Sequence, residues 1–363
     1  MTKFNVGIIG ATGMVGQRFI QLLEGHPWFT VTLLAASSRS ANRRYEDAVA
    51  ERWMMATPIP EHVAGQRVVD AVEDASLVQS VDFVFCAVDM PKQATAELEE
   101  RFARMEVPVV SANSAHRWTP DVPIIIPEVN PHHLDIIPAQ RRRLGTQKGF
   151  IVCKPNCSLQ SFVPTLDALF ACSEQLRPEH VIVSTYQAVS GAGKTLGSWP
   201  EMCDNVIPFI QGEEEKTMTE PHKIWGSVHS DCISGCSQPH ISAHCVRVPV
   251  SDGHLSTVSM IYPEQSAPRY EHIRAAWARY TGRHGSRLPS APNKIIFDLC
   301  DEPDRPQTKL DRDNGSGMGI SVGRLKMSPM HHWHFSCLSH NTIRGAAGGA
   351  ILTAELLAAE KWI

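Results

Sequence analysis

Short apolar runs and longer amphipathic stretches alternate through the first part of the chain. Phe4 to Ile9 is an almost continuous apolar run, and Met14 to Leu23 has the spacing of a helix with one buried face. Val31 to Ala36 supplies a second strand and completes a βαβ unit. Val81 to Val88 reads as a strand that ends before Pro91, a residue suited to the start of a helix over Lys92 to Arg104. Val107 to Ser111 and Phe150 to Cys153 are further strands, and Pro123 to Pro127 is a short apolar piece between prolines. This alternation predicts a doubly wound parallel sheet, an α/β fold of the Rossmann type.

The texture changes near residue 157. Leu159 to Phe170 is a helical run, and His180 to Gln187 is a strand leading into the small-residue loop Ser190-Gly191-Ala192-Gly193. Gly212 to Trp225 is charged and helix-prone. Ile241 to Val250 and Leu255 to Tyr262 are expected to pair with each other, because the Asp252-Gly253 between them is a turn signal. A helix over Tyr270 to Tyr280 and strands over Gly319 to Leu325 and Trp333 to Leu338 follow, with a polar surface loop over Asp301 to Asn314. Sequential strands with few helices predict an α+β second domain with an antiparallel or mixed sheet. The last helix, Thr342 to Lys361, is rich in alanine and glycine and is expected to pack back on the first domain.

Length and composition narrow this picture. At 363 residues the chain exceeds one ordinary core, so two domains are expected. A hydrophobic content of 43%, a charged content of 20% and a net charge of -4 describe a soluble globular protein without general affinity for nucleic acid or acidic membranes. No apolar run approaches the roughly 20 residues that span a bilayer, and the amino-terminal segment lacks the apolar stretch of a signal peptide. Ten scattered cysteines suggest reduced thiols in a cytoplasmic enzyme.

Chemistry enters at Lys154-Pro155-Asn156-Cys157-Ser158. Cys157 follows a strand and precedes a helix, where the helix dipole favours a reactive thiolate. A buried cysteine acting as a small hydrophobe is the ordinary alternative. Gly10-Ala11-Thr12-Gly13-Met14-Val15-Gly16 lies at the first strand-to-helix turn, where small residues let a pyrophosphate approach the backbone. After the second strand the chain reads Ala36-Ser37-Ser38-Arg39-Ser40, with Arg43 and Arg44 nearby and no acid. Hydroxyls and arginine suit a 2′-phosphate, so NADP is expected in preference to NAD. Arg247 and His254 flank the turn in the second domain, an arginine able to grip a carboxylate and an imidazole matched to proton transfer. Glu213-Glu214-Glu215-Lys216 and Arg117 read locally as ordinary solvated charge. Cys232, Cys236, His240 and His244 have zinc-like spacing, but Gly235 and Pro239 break the helical presentation, and no metal is expected there or at His331-His332-Trp333-His334.

As a set, these motifs resemble aspartate-β-semialdehyde dehydrogenase along nearly the whole chain. The matching pieces are Gly10 to Gly16, Pro127-Glu128-Val129-Asn130, Pro155-Asn156-Cys157-Ser158, Gln187-Ala188-Val189-Ser190-Gly191-Ala192-Gly193, Glu213 to Lys216, Arg247-Val248-Pro249-Val250 with Gly253-His254, and Asn341 to Gly349. The wording after Gln187 is similar to the archaeal and fungal branch. Asn156 stands where the paralogous N-acetyl-glutamyl-phosphate reductases typically have glycine. Lys194 departs from the aromatic residue or arginine that the family often carries, which leaves only the detail of that loop open.

The resemblance implies NADP-dependent reduction of aspartyl phosphate to aspartate semialdehyde, on the route to lysine, threonine and methionine. Cys157 would carry the thioester, His254 would act as acid and base, and Gln187 and Asn156 would help to orient the substrate. Arg247 would hold the α-carboxylate and a glutamate of the 213–215 run, preferably Glu213, the ammonium. Arg117 and Lys216 would meet phosphate. Gly10, Thr12, Gly13, Met14, Val15, Ser37, Ser38 and Arg39 would hold the cofactor, with Ser190, Gly191 and Asn341 on its nicotinamide side. The resemblance also implies a nucleotide domain of residues 1–155 plus the helix 341–363, a catalytic and dimerisation domain of residues 156–340, and a homodimer or homotetramer. The rival activity is a CoA-thioester reductase such as malonyl-CoA reductase, which would share fold, thiol and cofactor.

Overall fold

The computed structural model describes residues 3–263, 266–284, 287–330 and 332–363. The first part runs β1 (Phe4–Ile9), α1 (Met14–Leu23), β2 (Phe29–Ala36), α2 (Tyr45–Val49), α3 (Glu61–Ala64), β3 (Val69–Asp70), β4 (Phe83–Cys86), α4 (Lys92–Arg104), β5 (Val109–Ser111), α5 (Ile137–Leu144) and β6 (Ile151–Cys153). Its strands form one sheet in the order β3-β2-β1-β4-β5-β6, and every pair is parallel. A sheet covered on both faces needs apolar residues on both, which explains why its strands lack alternation. Val6, Ile8, Phe83 and Phe85 face one core, and Ile9, Val84 and Cys86 face the other. The Pro123 to Pro127 piece is no strand, and pairs with the sheet through a bridge from Ile124 to Cys153.

Two glycines let the first turn close tightly. Gly10 has φ +90 and a Cβ there would lie 2.3 Å from the Ala87 carbonyl oxygen. A Cβ at Gly16 would lie 2.2 Å from the Gly10 oxygen, so α1 can start against the turn only with hydrogen at that position.

The second part contains α6 (Leu159–Cys172), β7 (His180–Gln187), α7 (Glu213–Ile224), β8 (Ser227–Val228), β9 (Ile233–Ser234), β10 (His240–Arg247), β11 (His254–Ile261), α8 (Tyr270–Arg279), β12 (Ile296–Asp298), α9 (Thr308–Asp311), β13 (Ile320–Met327) and β14 (Trp333–Ser339). Its main sheet is mixed, in the order β10-β7-β11-β14-β13-β12. Helix α6 is buried from Leu159 to Phe170 and shares a core with inward residues of this sheet, among them Val183, Val258 and Phe335.

One expectation fails here. The strands on either side of Asp252-Gly253 do not form a hairpin, because β7 lies between them. It pairs parallel with β10, from His240↔His180 to Arg247↔Gln187, and antiparallel with β11. The Asp-Gly turn is a local signal, whereas partner choice follows burial across the whole sheet. As a consequence Gln187, Arg247 and His254 meet at one end of three adjacent strands. The polar 301–314 stretch is also more than a loop, since it contains α9 with a buried Asp311 that pairs with Arg305.

The chain ends in α10 (Gly348–Ala359), whose Ile351, Leu352, Leu356 and Leu357 enter the core of the first sheet. The expected helix does not begin regularly at Thr342. Ile343–Ala347 is a π-turn, with Gly345 N–H donating to His340 and Ala347 N–H donating to Thr342. Such a widened turn is often found at a functional site, and here it presses on Cys157.

Candidate active site

Cys157 sits in the short link between β6 and α6, whose Asn156 and Ser158 are held by three residues of α7. Glu213, Thr217 and Glu220 lie on one buried face of that helix, as spacings of four and three residues require. Glu213 accepts from Asn156 Nδ2 at 2.9 and 3.1 Å, and Glu220 Oε2 accepts the Asn156 amide at 2.7 Å. Thr217 Oγ1 lies 3.2 Å from Ser158 Oγ. Asn156 Oδ1 in turn accepts from the Ser158 amide and hydroxyl, at 2.9 and 2.7 Å. The residues on either side of the cysteine are therefore fixed by this clamp.

The strand edge supplies the groups opposite. Cys157 Sγ is 3.4 Å from His254 Nε2. Gln187 Nε2 donates to Glu213 Oε2 at 3.2 Å, and Arg247 Nη1 donates to the Ala188 carbonyl at 2.7 Å. A Cβ at Gly191 would come within 2.8 Å of Arg247 Nη1 and 3.1 Å of His254, so both side chains pack on this glycine. Asn341 ties the pieces together: its Oδ1 accepts from Gly253 N–H at 2.7 Å and its Nδ2 donates to Ser190 Oγ at 2.9 Å. The question of which glutamate faces the site has a geometrical answer. Glu213 is buried among Asn156, Gln187 and Lys216, Glu214 turns towards Cys245 and His244, and Glu215 is exposed.

Electrostatics modifies the helix-dipole expectation for the nucleophile. Burial pushes the Cys157 thiol up and Glu213 adds to this, while Lys154, Arg117 and Arg247 pull it down. Burial alone would also raise Glu213, but Lys216, Gln187 and Asn156 hold it below the usual carboxylate range. Burial, with the Arg247 guanidinium beside it, pushes His254 down to about 3. Lys154 is buried, donates to the carbonyls of Pro155 and Gly345, and is brought down to about 8 by burial and Arg117.

Arg117 is not a surface charge. It is buried, with Nη1 on Glu220 at 2.8 Å and Nε on the Lys154 carbonyl at 3.1 Å. Lys216 is half-buried and pairs with Glu213 at 2.9 Å. Local sequence reading missed Glu220, Lys154, Gly345 and the Ala188 amide, which donates to His254 Nδ1 at 3.1 Å. Glu220 alone had a signal, its seven-residue spacing from Glu213 on a helix.

The cofactor residues fall in two places. A cleft of about 950 Å³ opens beyond the carboxyl ends of the parallel strands, lined by Gly10, Thr12, Gly13, Ser37, Ser38 and Arg39 among others. Gly13 leaves the start of α1 uncovered, since a Cβ there would meet only the Gly10 oxygen at 3.5 Å. That uncovered helix start and the basic rim fit a dinucleotide bearing an extra phosphate. Among the rim arginines, Arg43 donates to the Asp47 carbonyl and Arg52 to the Ala48 carbonyl, whereas Arg39 has no such partner among the described residues. Met14 and Val15 form the first turn of α1. Ser190, Gly191 and Asn341 stand instead beside the Cys157–His254 pair.

The zinc-like residues do not converge. Cys236 donates to the Gln238 carbonyl, His240 stacks on His180, and His244 is exposed on β10. His331 lies outside the described residues.

Comparison with known proteins agrees with this architecture. Residues 5–137 match the family described as semialdehyde dehydrogenase, NAD binding domain, and residues 169–344 match the semialdehyde dehydrogenase dimerisation domain. The aspartate-semialdehyde dehydrogenase of Aspergillus fumigatus is 40% identical over 368 residues, covering 99% of both chains. That of Archaeoglobus fulgidus is 40% identical over 367 residues, covering 99% of this chain and 100% of its own. The crystal structure of the Candida albicans aspartate semialdehyde dehydrogenase with NADP superposes with a TM-score of 0.88 at 35% identity, covering 100% of both chains. With nearly full-length identity of this size and the same two-part fold, this chain belongs to the aspartate-semialdehyde dehydrogenase family.

Proposed function

We propose that this protein reduces L-aspartyl 4-phosphate to L-aspartate 4-semialdehyde with release of phosphate, through a thioester on Cys157. The observation that carries this reading is the Cys157–His254 contact of 3.4 Å, enclosed by Gln187, Arg247 and Glu213. An amino-acid substrate needs a cation for its carboxylate and an anion for its ammonium, and Arg247 and Glu213 offer both. A malonyl group carries no ammonium, which counts against the CoA-thioester alternative.

The chain's own residues then have the following tasks. Cys157 attacks the acyl carbon and carries the acyl group, and His254 attends the charge on sulfur and on the tetrahedral oxygen. Gln187 and Asn156 keep Glu213 and the substrate in register. Lys216 and the remaining Nη2 of Arg117 meet the phosphate. Bound NADPH supplies the hydride, and the residues fitted to hold it are Gly10, Thr12 and Gly13 at the pyrophosphate and Ser37, Ser38 and Arg39 at the 2′-phosphate. Met14 and Val15 complete that helix start, while Ser190, Gly191 and Asn341 line the nicotinamide end.

In this reading residues 1–155 with 341–363 hold the cofactor, and residues 156–340 hold the substrate and make a homodimer or homotetramer. Helix α6 covers one face of the second sheet, and the other exposes Ile182, a suitable place for a second copy. Ten free thiols suit a reducing cytoplasm. No helix among the described residues is long and apolar enough to cross a membrane.

The test is an assay of cofactor against substrate with phosphate varied independently. Phosphate-dependent oxidation of aspartate semialdehyde with NADP is expected, and Cys157→Ser should abolish it while NADP still binds. Turnover of malonyl-CoA indifferent to phosphate would overturn the reading.

A further inference from the structure

Lys154 directly follows β6, and its backbone is held on both sides. Its amide donates to the Ser111 carbonyl at 2.8 Å, and its own carbonyl accepts from Arg117 Nε at 3.1 Å. The residue is only 3% exposed, and its Cδ lies 3.8 Å from where a Cβ at Gly349 would stand. Nζ donates to the carbonyls of Pro155 and Gly345.

Those two carbonyls belong to the two segments that meet at the nucleophile. Pro155 lies two residues ahead of Cys157. Gly345 belongs to the π-turn, where a Cβ would come within 2.9 Å of Cys157 Cβ. One buried ammonium therefore ties the link that carries the cysteine to the turn packed against it.

Carbonyls satisfy the hydrogen bonds of an ammonium but bring no opposite charge. The carboxylates that act on Lys154, Glu220 and Glu213, are paired with Arg117 and Lys216. Burial and then Arg117 disfavour the lysine's charge, and the foremost group favouring it is Cys157. The relation is mutual. Burial and Glu213 push the Cys157 thiol up, and Lys154 leads the cations that pull it down, ahead of Arg117 and Arg247. Held at about 8, the lysine is still mostly charged at about pH 7.

We propose that Lys154 is the positioning residue of the nucleophile: its ammonium ties the Cys157 link to the π-turn and serves as counter-cation of the Cys157 thiolate. This rests on the reductase reading above, in which that sulfur attacks the acyl phosphate. His254 Nε2, 3.4 Å from Sγ, is the base that takes the thiol proton, and Lys154 gives up none. Negative charge leaves sulfur as the carbon–sulfur bond forms and phosphate departs, and it returns when that bond breaks to free the aldehyde. The lysine stays charged throughout.

The groups facing the sulfur are Glu213 on α7, Lys154 after β6, Arg117 after β5, Arg247 on β10 and His254 on β11. Arg344 of the π-turn is engaged by Glu128 instead. The groups facing the ammonium are Arg117, Cys157, Glu220 and Glu213.

The test follows alkylation of Cys157 by iodoacetamide against pH in the full-length protein, read by mass on the Cys157 peptide. Lys154→Met keeps the apolar stem and removes the charge. Its thiol midpoint should rise by about one pH unit or more, and both alkylation and kcat/KM at about pH 7 should fall about tenfold. Lys154→Arg restores a charge and should bring the midpoint part of the way back, whereas Lys154→Gln, a neutral donor, should not. A wild-type midpoint in Lys154→Met, or equal recovery with glutamine and arginine, would reduce Lys154 to a backbone tie and overturn the proposal.

Coupling between two sites is reciprocal, so a second arm leaves the lysine in place. With nitrogen-15 in the lysine side chains, Lys154 Nζ should be an ammonium at about pH 7. It should also lose its proton at lower pH in Cys157→Ser than in the wild type. A neutral amine at about pH 7, or the same midpoint in both proteins, would refute the counter-cation role. Alkylation and nitrogen spectra use no substrate, so they judge the lysine independently of what turnover assays say of the reductase reading.

Discussion

Glu220 and Asn156 are joined by a 2.7 Å hydrogen bond from the asparagine amide to the carboxylate, and the other oxygen of Glu220 holds Arg117 at 2.8 Å. One carboxylate thereby fixes the backbone beside the nucleophile and neutralises the buried guanidinium behind it. The pair is closed to solvent, with Glu220 fully buried and Arg117 nearly so.

Glu220→Gln should therefore do two kinds of damage. It leaves Arg117 buried without its counter-charge, a loss of about 3 kcal/mol in unfolding by urea. It also loosens the Asn156 amide, so alkylation of Cys157 in the folded variant should slow. Wild-type stability in Glu220→Gln would show that Arg117 finds its counter-charge elsewhere.

Gly345 lies where the π-turn passes the nucleophile, and a Cβ there would sit 2.9 Å from Cys157 Cβ. Gly345→Ala must displace one or the other. Because a shift of about 1 Å at the reacting atom costs on the order of 10²-fold in rate, kcat should fall steeply with little change in NADP affinity. Steady-state kinetics beside cofactor titration separates the two, and an unchanged kcat would place the strain elsewhere.

Cofactor choice should depend on Arg39, the rim arginine whose guanidinium is not engaged by a neighbour among the described residues. Removing a charge-assisted contact to the 2′-phosphate is worth about 1.5–3 kcal/mol, so Arg39→Ala should weaken NADP about 10- to 100-fold and leave NAD nearly unaffected. Equal weakening of both cofactors would assign Arg39 to the shared part of the nucleotide.

Acid should unfold the protein partly through histidine. His133 and His340 are held down at about 4, and His254 at about 3, each chiefly by burial. With folded values below the ordinary 6.5, the unfolded chain binds more protons in acid. Their contribution is complete above about pH 6.5 and is lost as pH falls towards their folded values, at about 1.4 kcal/mol per pH unit for each ring. Urea midpoints measured at about pH 7 and about pH 5 should drop accordingly, and less so in His133→Gln. A flat profile would mean that these rings titrate normally.

Much of this was legible along the chain. The strand Phe4–Ile9, the helices Met14–Leu23 and Lys92–Arg104 and the strand His180–Gln187 begin and end where the sequence pattern puts them. Glycine, proline and a change of hydrophobic period are local causes, and they act on the residues beside them. Cys157, Gln187, Arg247 and His254 were visible as a set because their motifs recur in a known order. Lys154 was not, since a lysine before a proline looks solvated until tertiary packing buries it, and Glu220 had only its helical spacing from Glu213 to mark it.

The sequence by itself determined that there would be a nucleotide turn, a thiol ahead of a helix, and strands with an arginine and a histidine near their ends. The tertiary structure decided that β7 lies between β10 and β11, which brings those ends together, and that Ala188 N–H meets Nδ1 of His254. It decided as well that Glu213, and neither of its two acidic neighbours, reaches Asn156. The reason is physical: periodicity reports which face of an element is buried, but the partner on that face is chosen by long-range packing and by the need to satisfy every buried polar group.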